Sequence, residues 1–196
     1  MSFMSERDRV RQVAQQIASL VPVFLDTETT GIGPKDEVVE ICVLSSTGEA
    51  LVDTLVKPRG KMHPEAVRHH GITEPMLAEA LPWPEIWPRV EAAIGDARGV
   101  IYNAEFDLRL MRQSHRAHGM TWDMDENRFD CLMHLYAEYY GDWDRRRESF
   151  RWQKLEAAAR QCGILLRNTH RAGDDALLTR ALLHHMAGML PTAGGE

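Results

Sequence analysis

Cysteine is scarce in this chain: Cys42, Cys131 and Cys162 are the only three in 196 residues, they lie far apart, and none forms a CxxC pair. Neither a disulfide framework nor a zinc clip is indicated, and a reducing, cytoplasmic setting is the expectation. Long apolar runs are missing too. No window approaches the roughly 18 consecutive apolar residues of a membrane span, and the start, MSFMSERDRVRQ, lacks the apolar core of a secretory signal. Lysine occurs only four times, so the basic charge is mostly arginine, the better phosphate fork. The net charge of −6 weighs against a nucleic-acid partner, which normally leaves a basic footprint. Four of the acids, however, can belong to a metal site, where cations would cancel their charge.

What is present is the composition of a soluble globular domain, 44% hydrophobic and 27% charged. No repeat, low-complexity linker or second composition regime divides it. We expect an N-terminal helix over 1–20, one domain over 21–188 and a flexible tail over 189–196. Residues 5–20 carry Val10, Val13, Ile17 and Leu20 at helical spacing, with Ser5 as a cap. Three strand-like runs follow, Val21–Glu28, Glu37–Ser46 and Ala50–Lys57, joined by short turns that favour antiparallel neighbours. A His- and Pro-rich stretch (63–75) follows, to which no element is assigned, and helices are expected near 75–80 and over 84–95. Gly99–Asn103 reads as a strand leading into a helix over 104–117. Further helices are expected over 131–140, 152–161 and 174–188, with a polar surface loop over 141–151. The pattern is that of an α/β domain, a mixed sheet flanked by helices.

Chemistry concentrates in three places. In FLDTETTG (24–31) Asp26 and Glu28 alternate with Thr27, so both project from one face of a strand, about 7 Å apart along the chain. The apolar run Val21-Pro22-Val23-Phe24-Leu25 makes that strand a buried one, where unpaired acids are costly and a metal becomes the simpler explanation. A random D-x-E pair is more often two solvated acids. In VIYNAEFDLRLM, Asp107 falls in the first turn of a helix, on its apolar side with Ala104, Leu110 and Met111; the plain alternative is an acid supporting the helix dipole. In HRAGDDALLT either Asp174 or Asp175 heads an apolar stripe, and periodicity does not choose between them. His170 just ahead titrates near neutral pH and suits a general base, although a loop histidine taken singly is usually a surface residue.

Together these segments resemble the DEDD exonuclease superfamily, in the subgroup with an HxxxxD final motif that includes DnaQ-like proofreading exonucleases. FLDTETTG is similar to its first motif, YNAEFDLRLM to its second and HRAGDDALLT to its third, whose spacing selects His170 with Asp175. HHGITEPML resembles the segment between the first two. The resemblance spans about residues 22–187; the helix before Val21 and the DWDRRRESFRW loop fall outside the pattern. It implies a ribonuclease H-like fold, three antiparallel strands and then parallel ones, flanked by helices. It also implies 3′→5′ exonuclease activity in which Asp26, Glu28, Asp107 and Asp175 hold two divalent cations, Mg²⁺ or Mn²⁺, and His170 takes the proton of the attacking water. The implied partner is the 3′ end of a single-stranded nucleic acid, DNA in preference to RNA. A polymerase or repair partner and a homodimer are implied by relatives, and no membrane.

Thr29, Asn103, Phe106, His70 and Met76 are the candidate substrate contacts, Phe106 being equally suited to core packing. Trp83 and Trp87 read as a packed helix start, Arg145-Arg146-Arg147 as a solvated run or a phosphate-steering one, and His184-His185 as surface. An RNA-trimming enzyme of the same fold is the near alternative. A haloacid-dehalogenase-like phosphatase is remote, because Glu28 stands where its motif needs Asp. An inactive nucleic-acid-binding module is remote because all four acids and the histidine are present.

Overall fold

The computed structural model describes residues 5–166 and 169–189; the expected tail beyond residue 189 lies outside them. Helix α1 (Glu6–Ser19) starts at Ser5, whose hydroxyl accepts from the Asp8 N–H at 3.1 Å. Its buried stripe is Val10, Ala14 and Ile17. Val13 and Leu20, expected on that face, are exposed: the buried stripe runs through Ala14 instead of Val13, and Leu20 lies past the helix end as its C-cap.

The sheet is built from β1 (Val23–Thr29), β2 (Val38–Leu44), β3 (Ala50–Lys57), β4 (Leu81–Pro82), β5 (Gly99–Ile101) and β6 (Phe129–Cys131), in the order β4-β3-β2-β1-β5-β6. β1, β2 and β3 pair antiparallel, whereas β5 joins β1 and β6 joins β5 in parallel. This is the expected mixed sheet. At Gly99 a Cβ would come within 2.3 Å of the Phe129 ring, so only glycine lets β6 pack there.

Helices cover both faces. On one, α3 (Trp83–Ile94) and α4 (Ala104–Ala117) pack on Leu25, Ile41, Val43 and Ile101. On the other, α1, α5 (Leu132–Tyr140), α6 (Leu155–Gln161) and α7 (Ala172–Met186) pack on Phe24, Cys42, Leu44 and Val100. Phe24 and Leu25 go to opposite cores, as the period of a strand requires. Trp83 and Trp87 are both buried at the start of α3, as expected. His184 and His185 are half-buried rather than surface, the former edge-on to Phe24 at 6.2 Å.

Three segments differ from expectation. The 63–75 stretch contains α2 (Pro64–His70), followed by a short 3₁₀ turn, Glu74–Leu77. The 141–151 stretch is a hairpin of two short strands, β7 (Trp143–Asp144) and β8 (Ser149–Phe150), held by a Trp143–Phe150 edge contact at 5.0 Å. The last helix begins at Ala172 instead of residue 174, with Arg171 at its N-cap position.

Candidate active site

β1 runs through the middle of the sheet, but β5 pairs only with its first two residues, Val23 and Phe24. Beyond them the sheet opens on one side, and a cleft of about 1050 Å³ forms against the carboxyl end of β1. Open α/β sheets commonly place their sites in such a position. The even positions of β1, Asp26 and Glu28, share the face covered by α7, and Asp175 from the first turn of α7 meets them there. Ligand oxygens of Asp26, Glu28 and Asp175 lie within 4.8 Å of one another. The odd position, Thr27, faces α4 instead. Its hydroxyl and its backbone N–H both donate to Asp107 Oδ1, at 2.7 and 3.1 Å. One strand thus addresses two helices, one with each parity.

Among the described residues the four carboxylates have no countercharge sufficient to offset their burial. Desolvation, then the charges of Asp175, Glu40 and Asp107, push Glu28 up to about 9. Asp26 rises well above the carboxylate range through burial and then the charge of Asp107. Burial lifts Asp107 to about 7 in spite of the Thr27 bonds, and Asp175 to about 6 in spite of His170. Asp175 Oδ1 is buried with no hydrogen-bond partner among the described residues. A buried acceptor without a donor is expensive, and an all-oxygen donor set of this kind fits hard divalent cations. Thr27→Val is expected to destabilise the fold by about 1.5–3 kcal/mol, the range for a hydrogen bond to a charged group, and to raise Asp107 further. Urea unfolding measures it, and a change below about 0.5 kcal/mol would show that the bond contributes little.

His170 precedes α7 in the left-handed region, with φ at 52°, an unusual conformation for a residue with a Cβ and one that collects at functional sites. Its Nε2 lies 3.0 Å from Glu156 Oε1, and its ring stacks on that of His69 with centroids 4.1 Å apart. His69 lines the cleft. Next in sequence, Arg171 forks onto Glu40 of β2: Nε donates to both carboxylate oxygens at 3.0 Å, Nη2 donates as well, and the Ala172 N–H adds a bond of 2.9 Å. Glu40 sits opposite Glu28 in the β1–β2 register. The pair therefore anchors the segment between His170 and Asp175 to the strand beside the acids.

Of the expected substrate contacts, Thr29, Asn103, Phe106 and His70 all line the cleft. Thr29 is buried, its hydroxyl donating to the Gly31 carbonyl at 2.8 Å. Phe106 is half-buried with the Arg109 guanidinium 5.2 Å from its ring centroid. His70 is a structural residue as well: Nδ1 accepts from Ile72 N–H at 3.0 Å, which leaves Nε2 to donate to the Thr29 carbonyl at 3.1 Å. Burial lowers its pKa despite that bond. Met76 is exposed on the 3₁₀ turn and is not among the residues lining the cleft. Thr27, Glu40 and Glu156 were not singled out by sequence. The first two carried a signal, alternation with the acids and a lone acid inside an apolar run.

The family model described as exonuclease, RNase_T, matches residues 23–183. The chain belongs to this exonuclease family. It is a nuclease of the DEDD superfamily in its HxxxxD subgroup, a family that uses divalent metal ions. Uncharacterized exonuclease CP81 of Escherichia phage 186 is 38% identical over 170 residues, covering 84% of this chain and 87% of that relative. A putative bifunctional exonuclease/endonuclease protein of Mycobacterium tuberculosis is 31% identical over 172 residues, but the chain spans only 26% of its length. Among solved structures, Exonuclease X in complex with 5′ overhanging duplex DNA superposes with a TM-score of 0.61 at 23% identity, covering 85% of this chain and 90% of that one. The nuclease domain of 3′hExo, a DEDDh family member bound to rAMP, gives 0.65 at 13% identity, covering 90% and 97%. At such identities the structures attest the shared fold. Among the described residues no helix is long and apolar enough to cross a membrane.

Proposed function

We propose that this exonuclease removes nucleotides one at a time from the 3′ end of a single-stranded nucleic acid, DNA in preference to RNA, and releases nucleoside 5′-monophosphates. The observation that carries the reading is the convergence of Asp26, Glu28 and Asp175 at the floor of the cleft, with a buried Asp175 oxygen lacking a donor. In this reading Asp26, Glu28 and Asp175 hold one divalent cation, and Asp26 with Asp107 a second, Mg²⁺ or Mn²⁺ being suited to oxygen donors. Bound cations of this kind neutralise the charge that builds on the scissile phosphate.

The chain's own groups do the rest. His170 takes the proton of the attacking water as that oxygen bonds to phosphorus and the bond to the 3′-oxygen breaks. Glu156, at hydrogen-bond distance from His170 Nε2, sets the orientation of the ring, as a carboxylate orients the base in other hydrolases. Phe106 offers a face on which any terminal base can stack. Thr29 and Asn103 stand in the cleft wall beside the acids, where the terminal sugar would lie.

The test is digestion of 3′-labelled and 5′-labelled single-stranded DNA and RNA with Mg²⁺. The 3′ label should appear at once as mononucleotide, the 5′ label should descend in a ladder, DNA should be consumed faster than RNA, and chelation should stop all four reactions. Release of the 5′ label first would overturn the polarity. His170→Ala should lower kcat by about 10²–10⁴-fold, the usual contribution of a general base, with KM little changed. A fall under tenfold would remove His170 from that role.

A further inference from the structure

The hairpin between α5 and α6 is not used by the chemistry above, yet its placement is informative. Gly141, with φ at 82°, ends α5 and turns the chain outward. At the hairpin tip Arg145, Arg146 and Arg147 are all exposed. Asp144 shapes this tip by accepting from the backbone N–H groups of Arg146 and Arg147, at 2.9 and 3.4 Å. Its carboxylate also takes the Arg151 guanidinium. Among the described residues, the side chains of Arg145, Arg146 and Arg147 enter no ion pair. Residues 141–154 carry five basic side chains against three acidic ones, within a chain of net charge −6. Basic charge is therefore concentrated where the molecule as a whole has little.

From the tip the chain returns as a four-residue strap, Arg151–Lys154, that runs to the cleft. Gln153 accepts from the hydroxyl of Tyr102, a cleft residue, at 2.7 Å. Leu155 lines the cleft, and Glu156 pairs with His170. Lys154 is close enough to cleft-lining His69 to help lower its pKa, after burial and the charge of His170. Fully extended, such a strap spans about 13 Å. On it Trp152 stands 64% exposed, its ring 5.3 Å from that of His134, and Trp143 on the hairpin is 49% exposed. Two exposed indoles beside a row of cations are unusual on the surface of a globular domain. Cationic grooves with aromatic platforms are the general solution for holding single strands without sequence preference.

We propose that the β7–β8 hairpin and its strap form a binding arm for the single strand upstream of the 3′ end, the arginines holding backbone phosphates and Trp152 stacking on a base. The proposal rests on the exonuclease reading for its direction, cleft to arm, and deepens it by assigning where the uncleaved strand runs. The arm lies outside the acid cluster, so it acts on substrates long enough to reach it and not on the reaction itself.

The test compares the wild-type chain with Arg145→Ala/Arg146→Ala/Arg147→Ala and with Trp152→Ala, on a trinucleotide and on a 25-nucleotide single strand, from 50 to 300 mM salt with Mg²⁺. Each variant should leave kcat and KM for the trinucleotide unchanged and raise KM for the long strand about tenfold. The triple variant should also flatten the log–log salt dependence of long-strand binding by about 2, since each phosphate that an arginine neutralises adds roughly 0.7 to the slope. An equal loss on both substrates, or none on either, overturns the arm. Anisotropy of a fluorescent 25-nucleotide strand in chelator reads the arm without catalysis. A wild-type chain that releases no nucleotide would overturn the exonuclease reading, while weakened anisotropy in the variants would still support the arm. Displacement of the strand by poly-glutamate at equal charge would reassign the arm to an acidic protein and overturn the proposal.

Discussion

Asp26→Asn will abolish nucleotide release and, in the metal-free protein, raise the melting temperature. Asp26 is the acid common to both cation positions in the proposed site, so its loss should lower kcat/KM by at least about 10³-fold, beyond the roughly 10–100-fold typical of altering an outer-shell partner. The stability gain has a different origin. Without cations, Asp26 is buried among Asp107, Asp175 and Glu28, and each raises its pKa. Asparagine keeps the shape and removes the charge. For a chain of this size each kcal/mol gained shifts Tm by about 2–4 °C.

The same reasoning fixes a pH dependence. Each of these acids has its folded-state pKa raised above its unfolded value, so between the two the native state binds more protons than the unfolded chain. Their contribution to stability is fully present below the unfolded values. It is lost as pH rises through about 6 for Asp175, 7 for Asp107 and 9 for Glu28. Metal-free Tm should therefore fall between about pH 5 and pH 9, and millimolar Mg²⁺ should reverse the fall at the alkaline end, because a ligand bound only by the native state stabilises it. Calorimetry with and without chelator measures both. A metal-free Tm that rises over this window, or an Asp26→Asn variant with a tenth of wild-type activity, would refute the assignment.

The second large effect lies at the Glu40–Arg171 pair. Among the described residues, Arg171→Ala leaves Glu40, 3% exposed, with only the Ala172 N–H as donor. Breaking a buried pair from one side costs about 3–5 kcal/mol. The Arg171 side chain is 38% exposed, so the low end of that range is expected. Glu40→Gln together with Arg171→Met should cost less than the single change, since no uncompensated charge remains. Activity should fall in both variants, because the backbone between His170 and Asp175 loses its anchor to β2. Losing Arg171 also removes a cation that lowers the pKa of Glu28. Urea unfolding and kcat, measured on both variants, separate anchoring from stability: a double variant as stable as wild type but still slow supports the positioning role. Full activity in Arg171→Ala would end it.

Legibility from sequence varied with the range of the interaction. Asp26 and Glu28 were readable as a same-face pair because alternation is a local property of a strand, and Asp107 because its helix has one apolar side. Asp175 was separable from Asp174 only by motif spacing. The structure accounts for the difference: Asp174 takes the hydroxyl of Thr169 and Asp175 turns inward. Thr27 and Glu40 make their decisive contacts 80 and 131 residues away, which no local pattern reports. Helix α2 was missed although its signals were present, Pro64 at the first position and Gly71 in the left-handed conformation just past the end; histidines within it masked them. The hairpin was missed because two-residue strands have no period to detect, and its cue was Asp144 bonding the backbone two residues on.

The division of labour along β1 has a consequence for biosynthesis. The acids that converge come from the first strand, from α4 and from α7, the last helix described, so the cluster spans a sequence separation of about 150 residues. Such distant contacts form late, after the entropy of closing the intervening chain has been met. During synthesis Asp26 and Glu28 leave the ribosome well before Asp175, so the three-acid cluster cannot assemble until α7 has been made. On the proposed site, a chain interrupted before α7 would lack one of the three converging acids.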